Sequence, residues 1–281
     1  MSITFGIEKA LAELREGDGD SALVRTTTMT HIVWAPEEWL AAAMKTLSGL
    51  SERHPSRTIV LVPEPSAPDG VESEVRLESF VLGSLGREVC SEVIVLRLGG
   101  DRIKAAASLV LPLLRPNLPV FIRWRGRPPF GSDELDSLAD VVDRLVVDSS
   151  EWPDLPDAYR ELARYFDRTS VSDIAWGRTE RWRLALADAW PGIADLTELF
   201  VRGPLADALL LTGWLRSRLD RSVCLRHEEA PSTEAVAVDG AEISPPESAE
   251  LETPSELLSR ELDRLARDGL YEQATQASLE A

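Results

Sequence analysis

The residues of this chain best suited to chemistry are arginines and an acid placed at the ends of apolar runs. Arg123-Trp124-Arg125-Gly126-Arg127-Pro128 follows the run PVFI, and Asp148-Ser149-Ser150 follows LVV. In open α/β sheets ligands collect beyond the carboxyl ends of strands, and both motifs are expected there. Arginines at alternate positions could hold an anion, such as a sugar phosphate, a nucleotide or a partner's carboxylates. The plainer roles are that Arg123 and Arg125 pair with local acids and that Asp148 caps a following turn. His54-Pro55-Ser56-Arg57 is a third candidate, which a helix-to-strand turn explains almost as well.

Catalysis usually needs a recognisable constellation, and none is legible. His31, His54 and His227 are the only histidines, and no pair of them has metal-ligand spacing. The chain has no GxxxxGK[ST] phosphate loop, no GxSxG nucleophile elbow and no GxGxxG after a strand. Gly83-Ser84-Leu85-Gly86 and Gly99-Gly100 read as turn glycines. Cys90 and Cys224 have no base nearby in sequence, so both read as small buried apolar side chains rather than redox groups. Trp182 and Trp190 sit at helical positions and read as core. The expectation is no cofactor, no metal and no catalytic residue.

Charge narrows the partners. The sequence has 48 acidic and 30 basic residues among 281, a formal charge of −18. That disfavours duplex nucleic acid and anionic membranes, which need a basic surface. No apolar run approaches the ~20 residues of a membrane span, and the first twenty residues lack the pattern of a signal peptide. A soluble, cytoplasmic protein is expected. From Glu228 to Ala281 there are 14 acidic and 3 basic residues, so the acid is concentrated in a tail.

The candidate residues need a scaffold, and hydrophobic periodicity describes one. Residues 29–62 read as a βαβ unit: a strand at Thr30–Trp34, a helix carrying Leu40, Ala43, Met44, Leu47 and Leu50, then the all-apolar run TIVLV at Thr58–Val62. Such a run is typical of a parallel strand covered on both faces. Pro63, Pro65 and Pro68 break the chain. The run VIVLRL within Arg87–Leu98 reads as a further strand, as do Pro119–Arg125 and Arg144–Asp148, alternating with helices at 103–114, 135–142 and 159–166. In the second half, Leu196–Arg202 and Arg221–Arg226 read as strands around a helix opened by Gly203-Pro204, after a helix through Trp182–Ala189.

Strands alternating with helices mean α/β, with two lobes built on largely parallel or mixed sheets flanked by helices. A soft boundary near residue 170 separates an N-terminal lobe, 1–170, from a C-terminal lobe, 171–281, which carries the acidic tail. Residues 231–254, with Pro245, Pro246 and Pro254, read as part strand and part linker. Thr253-Pro254-Ser255-Glu256 is a capping box that opens an acidic C-terminal helix. Leu258, Leu262 and Leu265 form its stripe, Glu256–Arg260 and Asp263–Arg267 its i,i+4 pairs, and Gly269 its C′ residue.

In this order, HPSRTIVLVPEP (54–65), REVCSEVIVLRL (87–98), AASLVLPLLRPNLPVFIRWRGRPP (106–129), LVVDSSEW (145–152), DIAWGRTERWR (173–183) and LLLTGWLRSRL (209–219) resemble the glucose-6-phosphate dehydrogenase assembly protein family, OpcA. The resemblance runs from about residue 20 to the final helix. It implies a non-catalytic partner that binds glucose-6-phosphate dehydrogenase, promotes its oligomeric assembly and raises its activity in the oxidative pentose phosphate pathway. The family's recurring residues fall on His54, Arg57, Cys90, Arg125, Asp148, Ser149, Trp176 and Trp182. Redox control through cysteines is associated with some cyanobacterial relatives, and Cys90 and Cys224 are the only residues here that could carry it.

The resemblance thus points to an allosteric activator, without saying which residues touch the enzyme. The candidates for binding a partner or ligand are His54, Arg57, Arg123, Trp124, Arg125, Arg127, Asp148 and Ser149, with tryptophan and arginine expected to be exposed at strand ends. The alternative is a sensor binding a sugar phosphate or nucleotide at the strand ends near Arg123–Arg127 and Asp148–Ser150. A third reading is an enzyme whose site is dispersed along the chain.

Overall fold

A computed structural model describes residues 3–17, 27–50, 53–82, 87–245 and 252–279. The glycine pair Gly83 and Gly86, with Pro246, lies outside the described residues. The chain divides into two compact units, residues 1–146 with 254–262 and residues 147–253 with 263–281.

The first unit is built on largely apolar, buried central strands. β1 (Met29–Trp34), β2 (Ser56–Glu64) and β5 (Val120–Trp124) pair in parallel, and all of β1 and β5 is buried. β4 (Arg87–Gly99) adds to β2 in parallel, and β6 (Arg144–Val147) adds to β5 in parallel. β3 (Gly70–Leu82) runs antiparallel to β4. Within this unit the strand order is β3-β4-β2-β1-β5-β6; β7 (Ser170–Asp173) belongs to the second unit. The mixed α/β class expected from the sequence is what the structure has.

Helices cover this sheet. α1 (Ile3–Gly17) buries Ile7 and Leu11, spaced one turn apart, and packs along β3. α2 (Glu37–Ser48) starts on Glu37 and Glu38, where the helix dipole favours acid, and buries Ala43 and Leu47. The stripe through 103–114 is broken into short pieces, of which α3 (Ala106–Val110) is the α-helical one. α4 (Asp133–Ala139) is capped by the Ser132 hydroxyl. α9 (Pro254–Leu262) returns to this unit, where Ser255 Oγ donates to the Thr46 carbonyl at 2.9 Å.

Neither α1 nor β3 was expected. The strand after the proline cluster alternates Val71, Val75 and Leu77 with Glu72, Glu74 and Glu78, a half-exposed edge pattern that lacks an apolar run.

The second unit contains a four-stranded sheet in the order β11-β10-β8-β9. β8 (Glu198–Arg202) and β9 (Cys224–Glu228) are parallel, while β10 (Ala235–Val238) and β11 (Ala241–Ile243) are antiparallel additions. Its helices are α5 (Asp157–Leu162), α6 (Ile174–Arg178), α7 (Glu180–Asp188), α8 (Leu205–Leu219) and α10 (Gly269–Ala277). α8 is apolar nearly all round and is buried accordingly. α10 lies so close to it that a Cβ on Gly213 would strike the Ala274 backbone.

Three sequence expectations are corrected here. Trp190 is 59% exposed beyond the end of α7, so it is surface and not core. α9 stops at Leu262, which leaves Leu265 exposed instead of extending the stripe. Gly269 opens α10, capped by Asp268, rather than closing α9; Arg267 accordingly pairs with Glu272 at 2.9 Å. Among the described residues no helix is long and apolar enough to cross a membrane.

Candidate functional site

The carboxyl end of β5 passes from fully buried strand into a half-buried turn. Arg123 is buried, and its guanidinium donates to the Trp124 carbonyl. Trp124 is buried as well, its ring stacked on Trp34 at 4.4 Å. Its expected exposure is therefore corrected: β5 lies beside β1 inside the sheet, and both faces are covered. Arg125 is half-buried and lies over the Trp39 ring, 4.7 Å from its centroid. The bend that allows this is Gly126, at φ +72°, where a Cβ would sit 3.1 Å from the Trp39 indole nitrogen. Arg127 lies over Phe130 at 5.3 Å and donates to the Pro128 carbonyl. Trp39, Arg125, Arg127 and Phe130 are all half-buried.

Arg57, a second candidate, is only 1% exposed. Its Nε donates to Glu92 at 2.7 Å, and its Nη1 donates to Glu8 at 2.5 Å and to the Leu113 carbonyl at 2.9 Å. Arg115 donates to the same Glu92 at 3.0 Å. Arg57 thus ties α1 and the segment before β5 to the sheet; the paired carboxylates raise its pKa against the burial that lowers it. His54 is buried, and its Nε2 lies 2.7 Å from Ser259 Oγ on α9. Burial, then the nearby His54 and Arg123, push His31 down to about 3, so it is neutral at physiological pH. Cys90 is buried as expected. Cys224 is exposed at the start of β9, and its expected burial is corrected: it points from the solvent side of a strand that alternates exposed and half-buried positions.

In the second unit, Asp148 caps the turn that follows β6. Its Oδ1 accepts from Ser150 N–H at 3.2 Å and from Ser150 Oγ at 2.6 Å. Arg178 grips the same carboxylate with both terminal nitrogens, at 3.0 and 3.1 Å, and reaches Asp207 at 3.1 Å. Asp207 also accepts from Thr233 Oγ1 at 2.9 Å. Two carboxylates hold the Arg178 pKa far above its ordinary value despite burial. Ser149 is fully buried; its N–H donates to Asp173 at 3.0 Å and its hydroxyl meets Tyr159 at 2.8 Å. Burial and the nearby Asp148 push Asp173 up to about 7.

Trp176 donates from Nε1 to Asp268 at 2.9 Å, and the Arg183 guanidinium covers its ring. Trp182 is buried in the core of this unit.

Of the expected site residues, Arg57, Arg123, Trp124 and Ser149 are interior, whereas Arg125 and Arg127 reach the surface. Sequence reasoning missed Asp173, Arg178 and Asp207. The first two lie inside the segment DIAWGR, but nothing in their spacing shows that both meet Asp148. Among the described residues no group of three His, Cys, Asp or Glu side chains could hold a metal ion.

Comparison with known proteins adds the context that geometry lacks. Residues 48–164 match a family model described as the glucose-6-phosphate dehydrogenase subunit N-terminal domain. A protein from Synechocystis sp., named as a candidate OxPP cycle protein OpcA, is 23% identical over 181 residues. Proteins of the same name from Synechococcus elongatus and Nostoc punctiforme are 27% and 26% identical over 187 and 179 residues. Each alignment takes in 60% of this chain but only 38–41% of the relative. These matches bear out the resemblance to the OpcA family.

Proposed function

We propose that this chain, similar to the OpcA family, is a non-catalytic partner of glucose-6-phosphate dehydrogenase that assembles the enzyme and raises its activity in the oxidative pentose phosphate pathway. The observation that carries this reading is the family match over residues 48–164, which holds the Arg57 clamp and the Arg123–Arg127 segment together. The geometry is consistent with a binding body. At the end of β5, Arg125 and Arg127 lie half-exposed over Trp39 and Phe130, and arginine–aromatic pairs are frequent hot spots of protein interfaces. The residues beneath them are locked by packing, so the face is presented without much ordering cost on binding.

An activator must bind one state of its target better than another, because equal affinity shifts nothing. A tenfold gain in apparent substrate affinity corresponds to about 1.4 kcal/mol of differential binding, within reach of a few such contacts. The deciding experiment adds the purified chain to its cognate dehydrogenase, follows NADPH production across substrate concentrations, and reads complex size by sedimentation. The expected result is a stoichiometric complex with raised turnover or a lowered apparent KM. No complex at micromolar protein would remove the proposal. Thermal stabilisation of the chain by a sugar phosphate alone would support the sensor reading instead.

A further inference from the structure

Asp173 lies where several elements of the second unit meet, closed off from water. Its Oδ1 accepts the N–H groups of Ser149 at 3.0 Å and Ala175 at 2.9 Å, and its Oδ2 faces the Tyr271 hydroxyl of α10 at 3.4 Å. The turn after β6 adds Asp148, α5 adds the Tyr159 phenol, α6 adds the Arg178 guanidinium and α8 adds Asp207. Arg178 directs its terminal nitrogens to Asp148 and Asp207. Asp173 is therefore the carboxyl of the cluster held by backbone N–H groups, the Ser149 side chain and a phenol, without a hydrogen bond from that guanidinium.

We propose that Asp173 is a proton-operated latch on α10: with the carboxyl neutral the helix is seated, and loss of the proton favours its opening. Ionisation would place a second negative charge beside Asp148 in a buried site, where charge is costly unless paired. α10 is the element whose departure would hydrate that charge, because Tyr271 covers Oδ2 and packs against Phe166 and Trp176. Further anchors of α10 include the close contact of Ala274 with Gly213, the Trp176–Asp268 hydrogen bond, and the Arg216 bond to the Ala277 carbonyl at 3.2 Å. They keep the opening local.

The sign follows from linkage. The seated state holds the proton up to about pH 7, whereas a hydrated carboxyl releases it near 3.8. The opened state therefore binds fewer protons through this interval, and opening becomes easier as pH rises. Between pH 6 and pH 8 the opening equilibrium should increase about tenfold and then level off.

The test is hydrogen exchange of the full chain from pH 6 to pH 9, corrected for intrinsic exchange chemistry and read on α10 peptides, for the wild type and Asp173→Asn. Opening of α10 that rises about tenfold by pH 8 in the wild type and stays flat in Asp173→Asn supports the latch. Unchanged opening in the wild type, or an equal rise in the folded variant, overturns it. Should Asp173→Asn not fold, a carbon-13 titration of aspartate carboxyls in the wild type decides. A midpoint near neutrality for Asp173 sustains the proposal, and one in the ordinary carboxylate range ends it.

Discussion

Trp34 and Trp124 lie face to face, ring centroids 4.4 Å apart and planes 11° off parallel, at matched positions of β1 and β5. The pair closes the interior at the carboxyl ends of the central strands. It also separates two residues that are adjacent in sequence: Trp124 belongs to the core, and Arg125 to the face above it. Trp124→Ala should cost about 3–5 kcal/mol of stability through the cavity it leaves. Arg125→Ala should leave the melting temperature within a degree or two and weaken association with the dehydrogenase. Thermal denaturation followed by sedimentation separates the two, and equal destabilisation by both would place Arg125 in the core too.

The clamp at Arg57 gives a different signature. Its guanidinium is buried against Glu92, with Glu8 and the Leu113 carbonyl completing its hydrogen bonds. Removing one partner of a buried ion pair leaves an uncompensated charge, so Arg57→Met should destabilise the first unit by about 3–5 kcal/mol. Because α1 is held through Glu8, proteolysis within α1 should accelerate first. Resistance equal to the wild type would show that α1 is held by Ile7 and Leu11 alone.

How much of this was legible depends on burial. Strands covered on both faces, such as TIVLV and PVFI, announce themselves as apolar runs. The same double coverage erases the alternation that tells inside from outside, so Arg123 and Trp124 could be placed on a strand but not in the core. β3 has the opposite pattern, with Glu72, Glu74 and Glu78 alternating along an edge, and does not read as a run. The cluster around Asp173 was invisible for another reason. Arg178 meets acids 30 and 29 residues away, and Tyr271 lies 98 residues from Asp173, pairings that no local periodicity encodes.

The buried histidine predicts an acid response confined to the first unit. His31 is neutral in the folded chain, with its pKa pushed from 6.5 to about 3, so the unfolded chain binds its proton first. Stability from this group is present above pH 6.5 and is lost as pH falls toward 3, opposite in sign to the effect of Asp173. Opening read from exchange of the β1 and β2 amides, corrected for intrinsic exchange chemistry, should therefore rise on acidification from pH 6.5 to pH 4.5, while that of α10 falls. A parallel response of both segments would contradict the assignment of the two groups.

The thiols make a chemical prediction. Cys224 is exposed and Cys90 is buried in the strand that pairs with β2 and β3. A native chain treated with iodoacetamide should take one label, at Cys224, and a second only after unfolding. Cys224→Ser should leave activation of the dehydrogenase unchanged under reducing and oxidising conditions, because an exposed strand terminus contributes little packing. A loss seen only on oxidation would make this cysteine a redox control point.

The contact between α8 and α10 gives the sharpest mutational test of how α10 is seated. At Gly213 the backbone of α10 comes so near that even a methyl group has no room, since the obstruction is main chain at Ala274 and not a side chain that could swing away. Gly213→Ala would be stabilising in an ordinary helix by about 1 kcal/mol, through lower backbone entropy in the unfolded chain. Here the sign should reverse, with α10 pushed outward and the bonds from Arg216 to the Ala277 carbonyl and from Trp176 to Asp268 stretched or lost. The expected result is a melting temperature several degrees lower, with faster exchange concentrated in α10 and little change in β1, β2 or β5. A neutral or stabilising Gly213→Ala would mean that α10 is free to shift on α8, and its seat would then rest on Tyr271 with the Trp176–Asp268 and Arg216–Ala277 bonds.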